Sequence, residues 1–193
     1  LWGSLDPETV EEGFRQYPDC KAVFLVSPTY YGVCSNIRSI ADICHRHGAL
    51  LLVDEAHGGH LYFQKEGTAT ETLPRGAILQ EADMCAQSMH KVTGSLTQSS
   101  LLLTGKNVNW EYVSQIINLT QTTSASYLLM SSLDISRRNL ALRGKESFAK
   151  VSRMAEYARE EINDIGGFYA YGKDMINGSS VYDFDVTKLS VYT

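Results

Sequence analysis

Long apolar runs are missing from this 193-residue sequence. The longest, Ala49 to Val53 and Leu101 to Leu103, fall far short of the ~20 residues that a membrane-spanning helix needs, so a soluble protein is expected. Runs of one charge are missing too. Lysine and arginine total 17 against 22 aspartates and glutamates, a net charge of -5, which argues against a nucleic-acid partner. Cysteine is scarce, and Cys20, Cys34, Cys44 and Cys85 form no Cys-x-x-Cys pair. Three of them lie in apolar segments, so reduced, mostly buried thiols and a cytoplasmic setting are expected. Leu1 to Glu8 contains neither an initiator methionine nor the basic-then-apolar layout of a secretory signal, and reads as the inside of a longer sequence. No repeat or low-complexity tract is present, and the length suits one layered domain.

What is present is an alternation of helix and strand signals. Pro7 to Gln16 reads as an amphipathic helix with Asp6 as N-cap, Pro7 in the first turn, and Val10 and Phe14 four apart. Lys21 to Val26 follows as a buried strand. From Ser35, a candidate N-cap, Ile37, Ile40, Ala41 and Cys44 recur at helical spacing up to Gly48, so a helix is expected over about 36 to 47. Ala49 to Val53, ending in Asp54, suits a parallel strand covered on both faces. Met84 to Gln87 and Ser99 to Thr104 are further strand candidates, and the stretch from Gly58 to Gly76 reads as irregular. Helices are expected over Trp110 to Leu119, Ala125 to Leu142 and Lys145 to Ile165, and Val181 to Val186 alternates like a strand. This order implies an α/β fold, a mostly parallel sheet sandwiched by helices, with a site outside the carboxyl ends of its strands.

Two polar clusters follow strand candidates. Asp54, Glu55, Ala56, His57, Gly58, Gly59 and His60 bring a carboxylate and imidazoles to the sheet edge; the plainer alternative is a capping Asp54 and surface histidines. A metal site is another alternative, since His57 and His60 are three apart and Cys44, His45 and His47 lie one element upstream. Against it, no His-Glu-x-x-His or Cys-x-x-Cys pattern occurs, and helical geometry turns His45 and His47 to different sides, so no metal is expected.

The second cluster is Gln87, Ser88, Met89, His90 and Lys91, followed by Thr93, Gly94, Ser95, Thr97, Gln98, Ser99 and Ser100. A lysine is ordinarily a solvated surface charge, but the neighbours of Lys91 are small and polar rather than charged. A partly desolvated amine near another cation becomes a nucleophile able to form a Schiff base with an aldehyde, and hydroxyls beside it suit a phosphate.

Four stretches, Ser27 to Cys34 (SPTYYGVC), Val53 to His60 (VDEAHGGH), Gln87 to Lys91 (QSMHK) and Leu96 to Ser99 (LTQS), resemble the major domain of the pyridoxal-phosphate-dependent ornithine/lysine/arginine decarboxylases. Gln121 to Asp134 and Phe184 to Leu189 extend the resemblance over nearly the whole chain.

The resemblance implies an aspartate-aminotransferase-like (fold type I) large domain, present as a fragment. Residues 1–180 would be part of the pyridoxal-phosphate-binding major domain, and 181–193 the truncated start of a small or carboxy-terminal domain. Lys91 would hold pyridoxal phosphate as a Schiff base, with Ser88 and His90 facing its phosphate. Asp54 would pair with the pyridine nitrogen and keep it protonated, so that the ring accepts electrons. Ala56 would lie against one ring face and His57 beside the cofactor near the substrate, making Lys91, Asp54 and His57 the catalytic set. Thr122 and Thr123, with Ser124, would reach the cofactor phosphate of a partner subunit, which implies a homodimer or larger homo-oligomer with shared sites. The implied reaction converts arginine, lysine or ornithine into the amine and carbon dioxide, as in polyamine biosynthesis. Another pyridoxal-phosphate reaction such as transamination, and a non-catalytic fragment with an assembly role, are the alternatives. Two departures are Met89, where the family commonly has threonine, and Ala125, where it usually has proline. The family's phosphate loop and cofactor-stacking ring would precede Leu1, so these residues alone are expected not to catalyse the reaction.

Overall fold

The computed structural model describes residues 4–63 and 73–193. Local capping starts the first two helices. α1 (Pro7–Gln16) begins where Asp6 Oδ1 accepts the Glu8 N–H at 2.9 Å, with proline in the first turn, where no N–H is needed. α2 (Ile37–Arg46) closes at His47, followed by Gly48 at φ +67°, a left-handed conformation that glycine adopts without strain. Its N-cap is Asn36, whose Oδ1 accepts the Ser39 N–H at 3.1 Å, and not Ser35. Ser35 is engaged elsewhere: its hydroxyl accepts the Leu5 N–H at 3.0 Å and its own N–H donates to Ser27 Oγ at 3.2 Å.

Four strands, β1 (Ala22–Val26), β3 (Leu50–Asp54), β4 (Met84–Gln87) and β5 (Leu101–Thr104), form a sheet in the order β1-β3-β4-β5. The first three run parallel, with Val26 opposite Asp54 and Asp54 opposite Ala86, while β5 is antiparallel to β4 at the edge. The result is the mostly parallel α/β sheet that the alternating pattern implies. Strand periodicity sends Leu51 and Val53 into the core shared with Val10 and Phe14 of α1 and Ile40 and Cys44 of α2. On the opposite face Phe24 is 67% exposed and Leu50 44%. Within the described residues nothing covers β1 and β3 at these two positions.

The remaining helices are α3 (Met89–Val92), a single turn after β4, then α4 (Trp110–Thr120) and α5 (Tyr127–Ile165). The expected break between Leu142 and Lys145 does not occur, and α5 runs unbroken for 39 residues. Gly144 lies where a Cβ would come 3.0 Å from that of Phe63, so this glycine permits close packing and ends no helix. Of the stretch read as irregular, Gly58 to Gly76, residues 64–72 lie outside the described residues; just beyond it Ile78–Gln80 forms a 3-10 turn.

A two-residue strand β2 (Val33–Cys34) pairs antiparallel with β7 (Asp183–Phe184), and β6 (Tyr169–Ala170) with β8 (Val191–Tyr192). Val33, Leu61, Tyr171, Phe184 and Val186 form a second core, against which Phe148 of α5 packs. Arg159 of α5 fastens this segment by donating to the carbonyls of Tyr171 at 2.9 Å and Lys188 at 2.8 Å, its guanidinium 5.8 Å from the Phe184 ring centre. No helix among the described residues is long and apolar enough to cross a membrane, and all four cysteines are free.

Candidate active site

Parallel strands deliver their carboxyl ends to one edge, and the main chain continues the pairing there. The Ser27 N–H donates to the Asp54 carbonyl at 3.0 Å, and the Glu55 N–H to the Ala86 carbonyl at 2.9 Å. The two polar clusters of the sequence thus emerge side by side.

Asp54 is half-buried at the end of β3, and its Oδ1 accepts the Ala56 N–H at 2.9 Å, turning the chain sharply. Its Oδ2 has no hydrogen-bond partner among the described residues. A Cβ on Gly58 would lie 2.6 Å from Glu55 Cγ and 2.8 Å from Pro28 Cδ, so only glycine fits this turn. His57 stands edge-on to Tyr30, with ring centres 5.3 Å apart. Burial first, and then the charges of Lys91 and Lys188, hold its imidazole below the ordinary 6.5, against opposing pulls from Asp54 and Asp185.

Lys91 lies one turn into α3, and its N–H donates to the carbonyl of the N-cap residue Ser88 at 3.0 Å. It is exposed, and its ammonium bonds to no other described residue. The Ser88 hydroxyl makes no capping bond either. His90 Nδ1 donates to the Ser99 carbonyl at 3.0 Å; since a carbonyl only accepts, the proton sits on Nδ1 and leaves Nε2 open. Ser136 of α5 donates to the Thr93 carbonyl at 2.6 Å and braces the segment behind Lys91. Thr122 and Thr123 are not gathered with these residues. They are exposed in the link between α4 and α5, where Thr122 Oγ1 accepts the Ser124 N–H at 3.1 Å.

An amine, a carboxylate with one free oxygen, a hydroxyl, an open imidazole nitrogen and the small Ala56 therefore share one sheet edge. That donor set fits a flat ring carrying a protonated nitrogen, an aldehyde and a phosphate. The groups of the metal alternative are dispersed: His45 Nε2 lies 3.0 Å from Asp83 Oδ2, and His47 stacks on Phe14 at 4.4 Å. Burial pushes the Cys44 thiol up to about 11.

Two buried carboxylates next to this edge, Glu55 and Asp185, lie in stretches that carry the resemblance but receive no role from it. Glu55 Oε2 accepts from Gln87 Nε2 at 2.7 Å, the Tyr62 hydroxyl at 2.8 Å and the Cys85 thiol at 3.3 Å, while Oε1 accepts the Ala77 N–H at 2.7 Å. All four donors are neutral. Burial raises the Glu55 carboxyl above its ordinary value even against these bonds. Asp185, just after β7, accepts the Thr187 hydroxyl at 2.7 Å and lies 3.1 Å from His60 Nε2 and 3.9 Å from Lys188 Nζ. The approach to His60 is at ion-pair distance but off the line a hydrogen bond needs, and His60 Nδ1 has no partner among the described residues. Lys188 connects this cluster to the edge: a Cβ on Gly32, at φ +95°, would sit 3.0 Å from Lys188 Cγ, in the same turn as Tyr30.

The family described as Orn/Lys/Arg decarboxylase, major domain, matches residues 3–189. Over 185 residues the chain is 41% identical to an arginine decarboxylase of Halalkalibacterium halodurans and 37% identical to one of Bacillus subtilis. Each match covers 95% of this chain and 36% of the relative, so the chain spans about a third of the length of these relatives. Among solved structures, a NifS-like protein from Rickettsia africae superposes with a TM-score of 0.67 at 16% identity, covering 88% of this chain and 45% of that one. A pyridoxamine-pyruvate aminotransferase from Mesorhizobium loti gives 0.63 at 14% identity, covering 92% and 47%. The fold is accordingly that of the aminotransferase-like, fold-type-I large domain, in part.

Proposed function

The chain belongs to the Orn/Lys/Arg decarboxylase family, and from that premise we propose that it carries the cofactor site of a pyridoxal-phosphate-dependent decarboxylase of arginine, lysine or ornithine. The observation that carries this reading is the strand edge at which Asp54 and Lys91 each leave a polar group unbonded. When bound, pyridoxal phosphate supplies the electron sink for the bond broken at the amino acid's α-carbon.

In this reading the Lys91 amine binds the cofactor covalently, and the free oxygen of Asp54 holds a proton at the ring nitrogen. The Ser88 hydroxyl and His90 Nε2 bind phosphate, and the small Ala56 lets the ring approach. His57, kept neutral by burial and by two lysines, orients the substrate side of the ring. Thr122 and Thr123 complete the phosphate site of a second copy. Support comes from Leu119, 81% exposed, and Tyr127, 82% exposed, which flank those threonines with apolar surface that a second copy would cover. The names of the relatives favour arginine among the three substrates. Four free thiols suit a cytoplasmic setting, and the amine product suits polyamine biosynthesis.

Borohydride reduction of the complete holoenzyme, followed by peptide mapping, is expected to tag Lys91. Amine release from arginine, lysine and ornithine, assayed in parallel, is expected to be fastest with arginine. A tag on another lysine, or no carbon dioxide from any of the three, overturns the reading.

A further inference from the structure

Glu55 follows Asp54 directly in the chain, and its buried carboxylate reaches across to Gln87, itself buried as the last residue of β4. The next residue, Ser88, opens the turn that carries Lys91. The Glu55–Gln87 bond therefore closes a circuit: Asp54 to Glu55 along the chain, Glu55 to Gln87 through space at 2.7 Å, and Gln87 to Lys91 along the chain. Main-chain pairing between β3 and β4 stops at Ala86. Past that point this side-chain bond is a hydrogen bond that joins the two arms.

We propose that Glu55, acting through Gln87, is a positioning residue that sets the separation of Asp54 from Lys91, and hence how firmly the cofactor is held at its two ends. This rests on the function proposed above. Three features fit a positioning role. The remaining donors to Glu55, from Tyr62, Cys85 and Ala77, come from three further points of the chain, so the carboxylate cannot shift without breaking several bonds. Gly58 leaves room for the Glu55 stem where any Cβ would collide with it. Among the described residues the shell contains no counter-ion, so the bonds are directional rather than diffuse, and direction is what fixes a distance.

The test uses the complete protein. Gln87→Met keeps the side-chain volume, removes the bond and leaves Glu55 its other three donors. Titration of the apoenzyme with pyridoxal phosphate, at a temperature where circular dichroism shows variant and wild type equally folded, is expected to give about tenfold weaker binding, as for a lost buried hydrogen bond. The pH at which the visible band of the bound cofactor changes is expected to move as well. Glu55→Gln, whose amide pairs with that of Gln87 once the latter turns over, is expected to lose less affinity than Gln87→Met. A bond that serves only the architecture lowers the melting temperature while leaving affinity and band titration at wild-type values, and that result overturns the proposal. Failure of the wild-type protein to take up the cofactor, or to carry it on Lys91, overturns instead the function on which the proposal rests.

Discussion

Glu55 and Asp185 are buried to nearly the same depth, 1% and 0% exposed, yet the regions around them stabilise a carboxyl group in opposite ways. Under the strand ends, Glu55 sits among neutral donors, and burial keeps its carboxyl above the ordinary 4.5. In the second core burial also pushes Asp185 up, but His60, Lys188 and Thr187 together outweigh it and hold the carboxyl below the ordinary 3.8. Depth sets the penalty for the charge, and the partners decide its sign. The neutral shell holds strand ends in place by direction, whereas the charged one extends its influence through Lys188 to His57.

Substitution at each carboxylate sharpens the contrast. Asp185→Asn leaves Lys188 and His60 without their buried anion and is expected to destabilise the fold by about 3 kcal/mol in chemical denaturation. Glu55→Gln disturbs only neutral hydrogen bonds and is expected to lose about 1 kcal/mol. Equal losses would show that the two shells do not differ in kind.

The pH dependence separates them by sign. For Asp185 the unfolded chain takes up the proton first, so its contribution is complete above 3.8 and is lost as pH falls through the lower folded value. For Glu55 the folded chain takes it up first, so stability is lost as pH rises from 4.5 through the raised folded value. Unfolding curves measured across acid pH should flatten at the low end in Asp185→Asn and lose the decline on rising pH in Glu55→Gln. Two variants with the same pH profile would contradict the opposite signs.

The smallest effect is expected at His57. Replacing Lys188 by Met removes one of the two cations beside the imidazole, so its titration, followed by NMR of the ring protons, should rise toward 6.5. An unchanged titration would assign the depression to burial and Lys91 alone.

Short-range features of the chain were legible without coordinates. Asp6 with Pro7 announces α1, Gly48 announces the end of α2, and an apolar run ending in Asp54 announces a strand that delivers a carboxylate to the sheet edge. The motif at Lys91 was legible for the same reason, since neighbours in sequence remain neighbours in a one-turn helix. The break expected between Leu142 and Lys145 does not occur, because helix propensity is a local quantity, while the space that Phe63 leaves at Gly144 is not. What covers the second face of β1 and β3 at Phe24 and Leu50 was not legible either, because an apolar strand does not specify its cover.

The sequence by itself determined the alternation of helices and strands, the caps that start and stop them, and the residue types that arrive at the strand ends. Each of these depends on contacts within a few positions. Only the tertiary structure decided which carboxylates are buried and in whose company. The donors to Glu55 lie 7 to 32 positions away, and Thr187, beside Asp185, meets His60 across 127. The free energy of a buried charge is set by the groups within a few ångströms of it, whatever their distance along the chain, so that decision falls to folding rather than to any local pattern.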